Sequence, residues 1–219
     1  MRNNSIIPSS LVMSKLLLQL VVSHKYDLYA IAHGKLNGFL LNHIADQSSM
    51  ALPTMDVDIL KPIEEIPNFV IDIQRRQCIS DLLLDWLLDT TFKNAYDDTR
   101  FAIQKSDNNI NINNIKLLAI CNFDAYSNGL NFVFGQAHVN GKVAAVYLPR
   151  RRQKSYGPEK KIDHLFFDRV IKEAVHELGH TFGLGHCQLH KCVMHFSNSI
   201  SDTDAKESDF CKNCRSRIN

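Results

Sequence analysis

The chain has 219 residues, 45% of them hydrophobic and 22% charged, with a formal charge of +2. That balance supplies a sizeable apolar core and excludes a disordered or collagen-like chain. The charge is too small to argue for a nucleic-acid or membrane surface, so neither partner is expected. No linker divides the chain, which predicts an N-terminal extension over residues 1–23 and a single domain over 24–219.

The first apolar run, Leu11–Val22, is interrupted by Lys15 and Gln19, and no small-residue cleavage site follows it. Neither an export signal nor a membrane-spanning helix is expected there. Tyr26–Gly34 reads as a buried strand, Leu36, Leu40, Leu41 and Ile44 fall at helical spacing, and Asp56–Leu60 alternates as a strand does. Strand, helix and strand in this order predict a parallel crossover. Phe69–Ile73 is expected to be extended. Leu83, Leu84, Leu87 and Leu88 predict a helix capped by Ser80 or Asp81, with Trp86 in the core.

The Asn-rich stretch Ser106–Asn114 predicts a loop, and Lys116–Phe123 a strand after it. Asn131–Val139 and Lys142–Leu148 flank Asn140-Gly141, a pair suited to a two-residue turn with positive φ at both positions, which predicts an antiparallel hairpin. The fold class is therefore α/β: a compact domain with a mixed, mostly parallel twisted sheet and an antiparallel edge strand. Pro149–Lys161 gathers Arg150, Arg151, Arg152, Lys154, Lys160 and Lys161. A solvated loop accounts for these charges, and an electrostatic rim guiding an anionic group is the functional alternative.

From His164 onward Leu165, Phe166, Val170, Ile171, Ala174, Val175, Leu178 and Phe182 form one apolar face of a helix, with Asp163 as its expected N-cap. His176 and His180 are one turn apart on that helix, so both imidazoles can meet one metal ion. His186 is the expected third ligand, reached because Gly183 suits a left-handed helix end. The pattern is HExxHxxGxxH, with Met194 eight residues further on, where a tight turn can place its thioether beneath the metal site. Three protein ligands with an open position characterise a catalytic zinc, which activates a bound water. Glu177 is the expected general base, and hydrolysis of a peptide bond follows. An extended peptide substrate can pair with the edge of the hairpin, where Gly135 permits close approach.

Cys187, Cys192, Cys211 and Cys214 form two close pairs, suited to a closed structural zinc rather than to disulfides. His190 is a minor substitute ligand, and Cys78 and Cys121 are expected to be core residues. Two zinc ions per chain are expected, one catalytic and one structural, the second stabilising a C-terminal segment with few apolar residues.

HELGHTFGLGHC at His176–Cys187, CVM at Cys192–Met194 and CKNC at Cys211–Cys214 together resemble the archaemetzincin family of zinc metallopeptidases. The likeness extends through QRRQ at Gln74–Gln77 and FVFGQAHVNGKVAAVYLPR at Phe132–Arg150. It implies a compact metzincin-like domain, catalytic zinc on His176, His180 and His186, Glu177 as base, Met194 in a Met-turn, and a second zinc on the four cysteines. It also implies aminopeptidase activity on short peptides, for which Asp124, Glu159 and Asp163 are the candidate holders of a free α-amine. The extension before Tyr26 and the Asn-rich loop depart from the family pattern. A cytoplasmic monomer acting on peptides is expected, and a zinc-stabilised binding module with little turnover is the alternative, which would have no need of Glu177.

Overall fold

A computed structural model describes residues 26–33, 38–52, 55–59, 63, 65–93, 114–152 and 159–218. Strand β1 (Tyr26–His33), helix α1 (Gly38–Ala51) and strand β2 (Met55–Ile59) make the predicted crossover, with β1 and β2 parallel and Tyr26 opposite Met55. Leu40, Leu41 and Ile44 of α1 are buried, while Leu36, residues 1–25 and most of the Asn-rich stretch lie outside the described residues.

Phe69–Ile73 departs from the expectation of one extended segment. Asn68–Val70 is a turn of 3₁₀ helix, and only Ile71–Asp72 is strand (β3). It pairs with β4 (Gln77–Ile79), which pairs in turn with β6 (Ala125–Tyr126) in a small second sheet. Phe69 and Ile73 are exposed, with no described residue covering them. Helix α2 (Ser80–Leu88) follows β4 directly, and neither predicted cap is used. Ser80 instead hydrogen-bonds the Tyr147 hydroxyl at 2.5 Å, and Asp81 accepts from Gln136 Nε2 at 2.6 Å and Ser127 Oγ at 2.9 Å. Trp86 packs partly buried at the margin of the core.

The main sheet has the order β2-β1-β5-β8-β7, where β5 is Ile115–Cys121, β7 is Gly135–Ala137 and β8 is Val143–Tyr147. β1, β5 and β8 run parallel, and β7 pairs with β8 antiparallel at the edge. All seven residues of β5 are buried, as a strand covered on both faces must be. Leu118 and Ile120 point to one core with Ala144 and Val146, and Leu117, Ala119 and Cys121 to the other with Ala145 and Tyr147. The first core is closed by helix α3 (Glu159–Thr181) and the second by α2. Cys78 and Cys121 are buried in the second, as expected.

The hairpin turn is longer than predicted. His138 N donates to Val143 O at 3.0 Å and Gly141 N to His138 O at 2.9 Å, so Val139–Lys142 form a four-residue turn. Asn140 has φ 53°, whereas Gly141 is not left-handed. Gly141 is required by space, since a Cβ there would lie 2.5 Å from His138 Cβ. Helix α3 starts at Glu159, four residues before the predicted cap Asp163, which is therefore inside the helix. The C-terminal segment adds two short helices, α4 (Ile200–Ala205) and α5 (Lys212–Arg215). No helix among the described residues is long and apolar enough to cross a membrane.

Candidate active site

His176, Glu177 and His180 lie in the last two turns of α3. The helix ends where Gly183 adopts φ 81°, and its terminal carbonyls are all engaged. Leu178 O accepts from Thr181 Oγ1, Gly179 O from Leu184 N at 3.1 Å, and His180 O from both Gly183 N and Asn140 N at 2.9 Å. Thr181 O accepts from the Lys116 ammonium at 2.8 Å. The Leu184-to-Gly179 and Gly183-to-His180 bonds are a Schellman motif, which turns the chain back so that His186 faces the helix it has just left.

Metal-ligating atoms of His176, His180 and His186 all lie within 4.8 Å of one another. His176 Nδ1 is 2.7 Å from Val193 O, and His180 Nδ1 is 2.7 Å from Leu184 O. A carbonyl can only accept, so each Nδ1 carries the ring proton and each Nε2 presents a lone pair. Those two Nε2 atoms face one another at 3.1 Å. Burial, and then the Lys206 ammonium, holds His176 down to about 3, and burial lowers His180 and His186, so no ring proton relieves this contact at neutral pH. Two convergent lone pairs with orienting carbonyls behind them fit a cation such as zinc, whose tetrahedral nitrogen ligands lie about 3.3 Å apart. His186 stacks at 23° on His176 and carries Phe196 on its outer side.

Met194 is fully buried in a turn closed by His195 N to Cys192 O at 2.9 Å. Its Sδ occupies the space that a side chain at Gly179 would need. Glu177 leaves the helix beside Gly135 of β7, where a Cβ would lie 2.6 Å from Glu177 Cγ. The close approach expected of Gly135 is thus made by Glu177 rather than by a peptide. Burial, then the Glu173 carboxylate one turn earlier, pushes Glu177 well above the usual carboxylate range.

Sulfur atoms of Cys187, Cys192, Cys211 and Cys214 likewise lie within 4.8 Å of one another, with Cys187 Sγ 3.9 Å from Cys211 Sγ. A disulfide requires about 2.0 Å, whereas four thiolates about 2.3 Å from one zinc sit about 3.8 Å apart. Leu189 N and Cys211 N donate to Cys187 Sγ and Cys192 Sγ. The backbone N–H of Cys214, and then neighbouring thiols, lower Cys211 to about 7, whereas burial raises Cys192 and Cys214. His190 is not in this group; its Nδ1 faces His195 Nε2 at 3.0 Å.

Of the basic stretch, the side chains of Arg150 and Arg151 are described and neither is a free surface charge, while those of Arg152, Lys154, Lys160 and Lys161 lie outside the description. Arg150 forms a bidentate pair with Asp124 at 2.7 Å, and Arg151 is fully buried beside Glu173 at 2.5 Å. No sequence pattern assigns a role at the site to Arg151, Glu173, Gly179 or Lys206, although Glu173 stands at i−4 from Glu177 and Gly179 lies inside HELGH. Lys206 donates to His195 O at 3.3 Å, with its Nζ 3.4 Å from His176 Nδ1.

Comparison with known proteins follows the same residues. The model of Peptidase family M54 matches residues 41–219. Archaemetzincin of Pyrococcus furiosus is 37% identical over 180 residues, covering 74% of this chain and 92% of that protein. For archaemetzincin of Pyrococcus horikoshii, 52% identity extends over 103 residues, 46% of this chain and 53% of that protein, so the chain matches about half of that relative's length. The crystal structure of archaemetzincin from Methanopyrus kandleri superposes with a TM-score of 0.68 at 29% identity, over 91% of this chain and 97% of that one. On the extent of the family match and of the P. furiosus alignment, the chain belongs to peptidase family M54, the archaemetzincins.

Proposed function

We propose that this chain is a zinc-dependent metallopeptidase that hydrolyses peptide bonds, with zinc held by His176, His180 and His186 and with Glu177 as general base. The observation that carries this reading is the pair of facing Nε2 lone pairs 3.1 Å apart, beside a buried carboxyl on the same helix. When bound there, zinc supplies Lewis acidity and makes a water nucleophilic near neutral pH. Glu177 takes a proton from the attacking water at its carboxylate and returns it to the leaving amine. The carbonyls of Val193 and Leu184 hold two imidazoles in the ligating tautomer, and β7, at the edge of the sheet, offers backbone groups to an extended peptide. A second, structural zinc is assigned to Cys187, Cys192, Cys211 and Cys214, with Met194 beneath the first site.

The finer readings belong to the same proposal: one domain over 24–219, a cytoplasmic monomer and a peptide as partner rather than a nucleic acid. Aminopeptidase action needs a carboxylate near the scissile bond to hold the α-amine. Asp124 is already paired with Arg150 and Gln77. Glu159 and Asp163 precede Glu177 by 18 and 14 residues of continuous helix, roughly 27 and 21 Å along its axis. None of the three suits that role, so a substrate held along β7 is favoured over one held by its terminus.

Wild type and Glu177→Ala, each analysed for metal and assayed on a mixed peptide library, decide the matter. Two zinc ions per chain in both, with cleavage by wild type alone, is the expected result. Equal cleavage by both removes Glu177 as base, and no cleavage by either favours a zinc-stabilised binding module.

A further inference from the structure

Glu177 is held from two sides. Gly135 leaves room for its carboxyl on the β7 side, where a Cβ would lie 2.7 Å from Oε1. On the helix side it faces the Glu173 carboxylate, one turn earlier on the same face: a protonated Glu177 donates to it, and an ionised Glu177 is repelled by it toward β7. Glu173 Oε2 lies 2.5 Å from Arg151 Nη2, and Arg151 Nη1 donates to Thr203 Oγ1 at 2.8 Å. The Arg151 guanidinium also stacks 4.0 Å over the Phe134 ring.

Arg151 and Thr203 are 0% exposed, Glu177 4% and Glu173 5%. An ion pair buried this deeply adds little stability over apolar residues of the same volume. What the guanidinium adds is a planar charge set between two groups, with Nη1 donating to Thr203 and Nη2 meeting Glu173 as an ion pair rather than in hydrogen-bond geometry. Its acceptor is itself anchored. Thr203 sits in α4, whose start is fixed by a Ser199–Asp202 capping box, and the adjacent Asp204 accepts from Nε and Nη2 of Arg169 at 2.6 Å. No metal-ligating atom belongs to this chain of contacts.

We propose that Thr203, Arg151 and Glu173 are positioning residues that set where the Glu177 carboxylate stands, so that the C-terminal segment fixes the geometry of the general base. The inference rests on Glu177 acting as that base. Glu173 occupies the carboxyl from the helix side and prevents it from swinging away from β7. Arg151 fixes Glu173, and Thr203 fixes Arg151.

Three variants of the full zinc-loaded chain test this: Glu173→Ala, Glu173→Gln and Thr203→Val. Each is analysed for zinc content and melting temperature, crystallised, and assayed with a mixed set of fluorogenic peptides. Glu173→Ala is expected to lower kcat about 100-fold with KM and zinc content nearly unchanged, and to show the Glu177 carboxylate displaced from Gly135. Glu173→Gln, which can still hydrogen-bond Glu177, is expected to recover about tenfold of that loss. Thr203→Val keeps the buried ion pair intact, so it stays informative if Glu173→Ala fails to fold; it is expected to lower kcat roughly fivefold. An unmoved Glu177 in the crystals of Glu173→Ala or, failing those, Thr203→Val overturns the proposal, as do activity losses that merely track lost zinc or lost folded protein. If wild type cleaves no peptide, the peptidase reading fails on its own account, and the position of Glu177 in the crystals still decides this one.

Discussion

Two glycines at the site are specified by what a methyl group would strike. At Gly179 it would meet Met194 Sδ and the Phe210 ring at 2.9 Å, and at Gly135 it would meet Glu177. Neither residue has a positive φ, so alanine fits both backbones and the effect is one of space alone. The two collisions have different consequences. Gly179→Ala overpacks the contact between α3 and the Met-turn and should cost about 1–3 kcal/mol of stability, read from denaturant midpoints. Gly135→Ala should leave the fold and zinc content intact but lower kcat about 100-fold by displacing Glu177, the proposed base. An unchanged kcat would sink the placement of Glu177 against β7. The sequence already contained His176, Glu177, His180, His186 and Met194 as a spaced motif, because their geometry follows from helix pitch and one turn. Gly179 stood inside that motif as a position free to vary, since its partner Met194 is brought to it only by the return of the chain.

At the scale of elements, the end of α3 decides whether His186 can return to the other two histidines. Gly183 was recognisable from spacing as a left-handed turn, but Asn140 and Lys116, which cap the same end, come from the hairpin and β5. No local pattern reports such contacts. For the same reason the start of α3 was misplaced: Glu159–Ile162 are ordinary helix residues, and Asp163 resembles a cap only when the sequence is read from its apolar face. Lys116 donates to Gly141 O at 2.6 Å and Thr181 O at 2.8 Å, and burial, then Lys142, holds its pKa down to about 8 from 10.5. The folded chain therefore binds fewer protons at this amine than the unfolded chain between those values. Its desolvation cost is present in full below pH 8 and is relieved as pH rises to 10.5. Wild type should accordingly gain stability relative to Lys116→Met across that window, measured as the difference between their melting temperatures at each pH. A difference independent of pH would show that the amine titrates as it does in the unfolded chain.

For the whole molecule, the parallel crossover of β1 and β2 and the antiparallel pair β7–β8 at the edge are legible in strand composition and the hairpin, whereas the place of β5 between β1 and β8 is not, nor is the second sheet, because strands of two or three residues carry no periodicity. The two cysteine pairs were equally visible, but their coupling to the histidines emerges only in three dimensions. Val193 O orients His176, and the same residue's N–H is bound by Asp209 O at 2.9 Å in the segment leading to Cys211. Cys187 N donates to Met194 O at 2.9 Å, which ties the residue after His186 to the Met-turn. The cysteine cluster thus holds the carbonyl that fixes one histidine and the backbone that follows another. Groups that orient a metal ligand typically contribute 10–100-fold to metal affinity. Replacing Cys211 and Cys214 together by serine should therefore remove one zinc and also weaken the histidine site by about that factor, although none of its ligands is altered. Zinc content measured by dialysis at stepped free-zinc concentrations separates the two effects. A histidine-site affinity equal to that of wild type would mean that the two centres fold side by side without bracing each other.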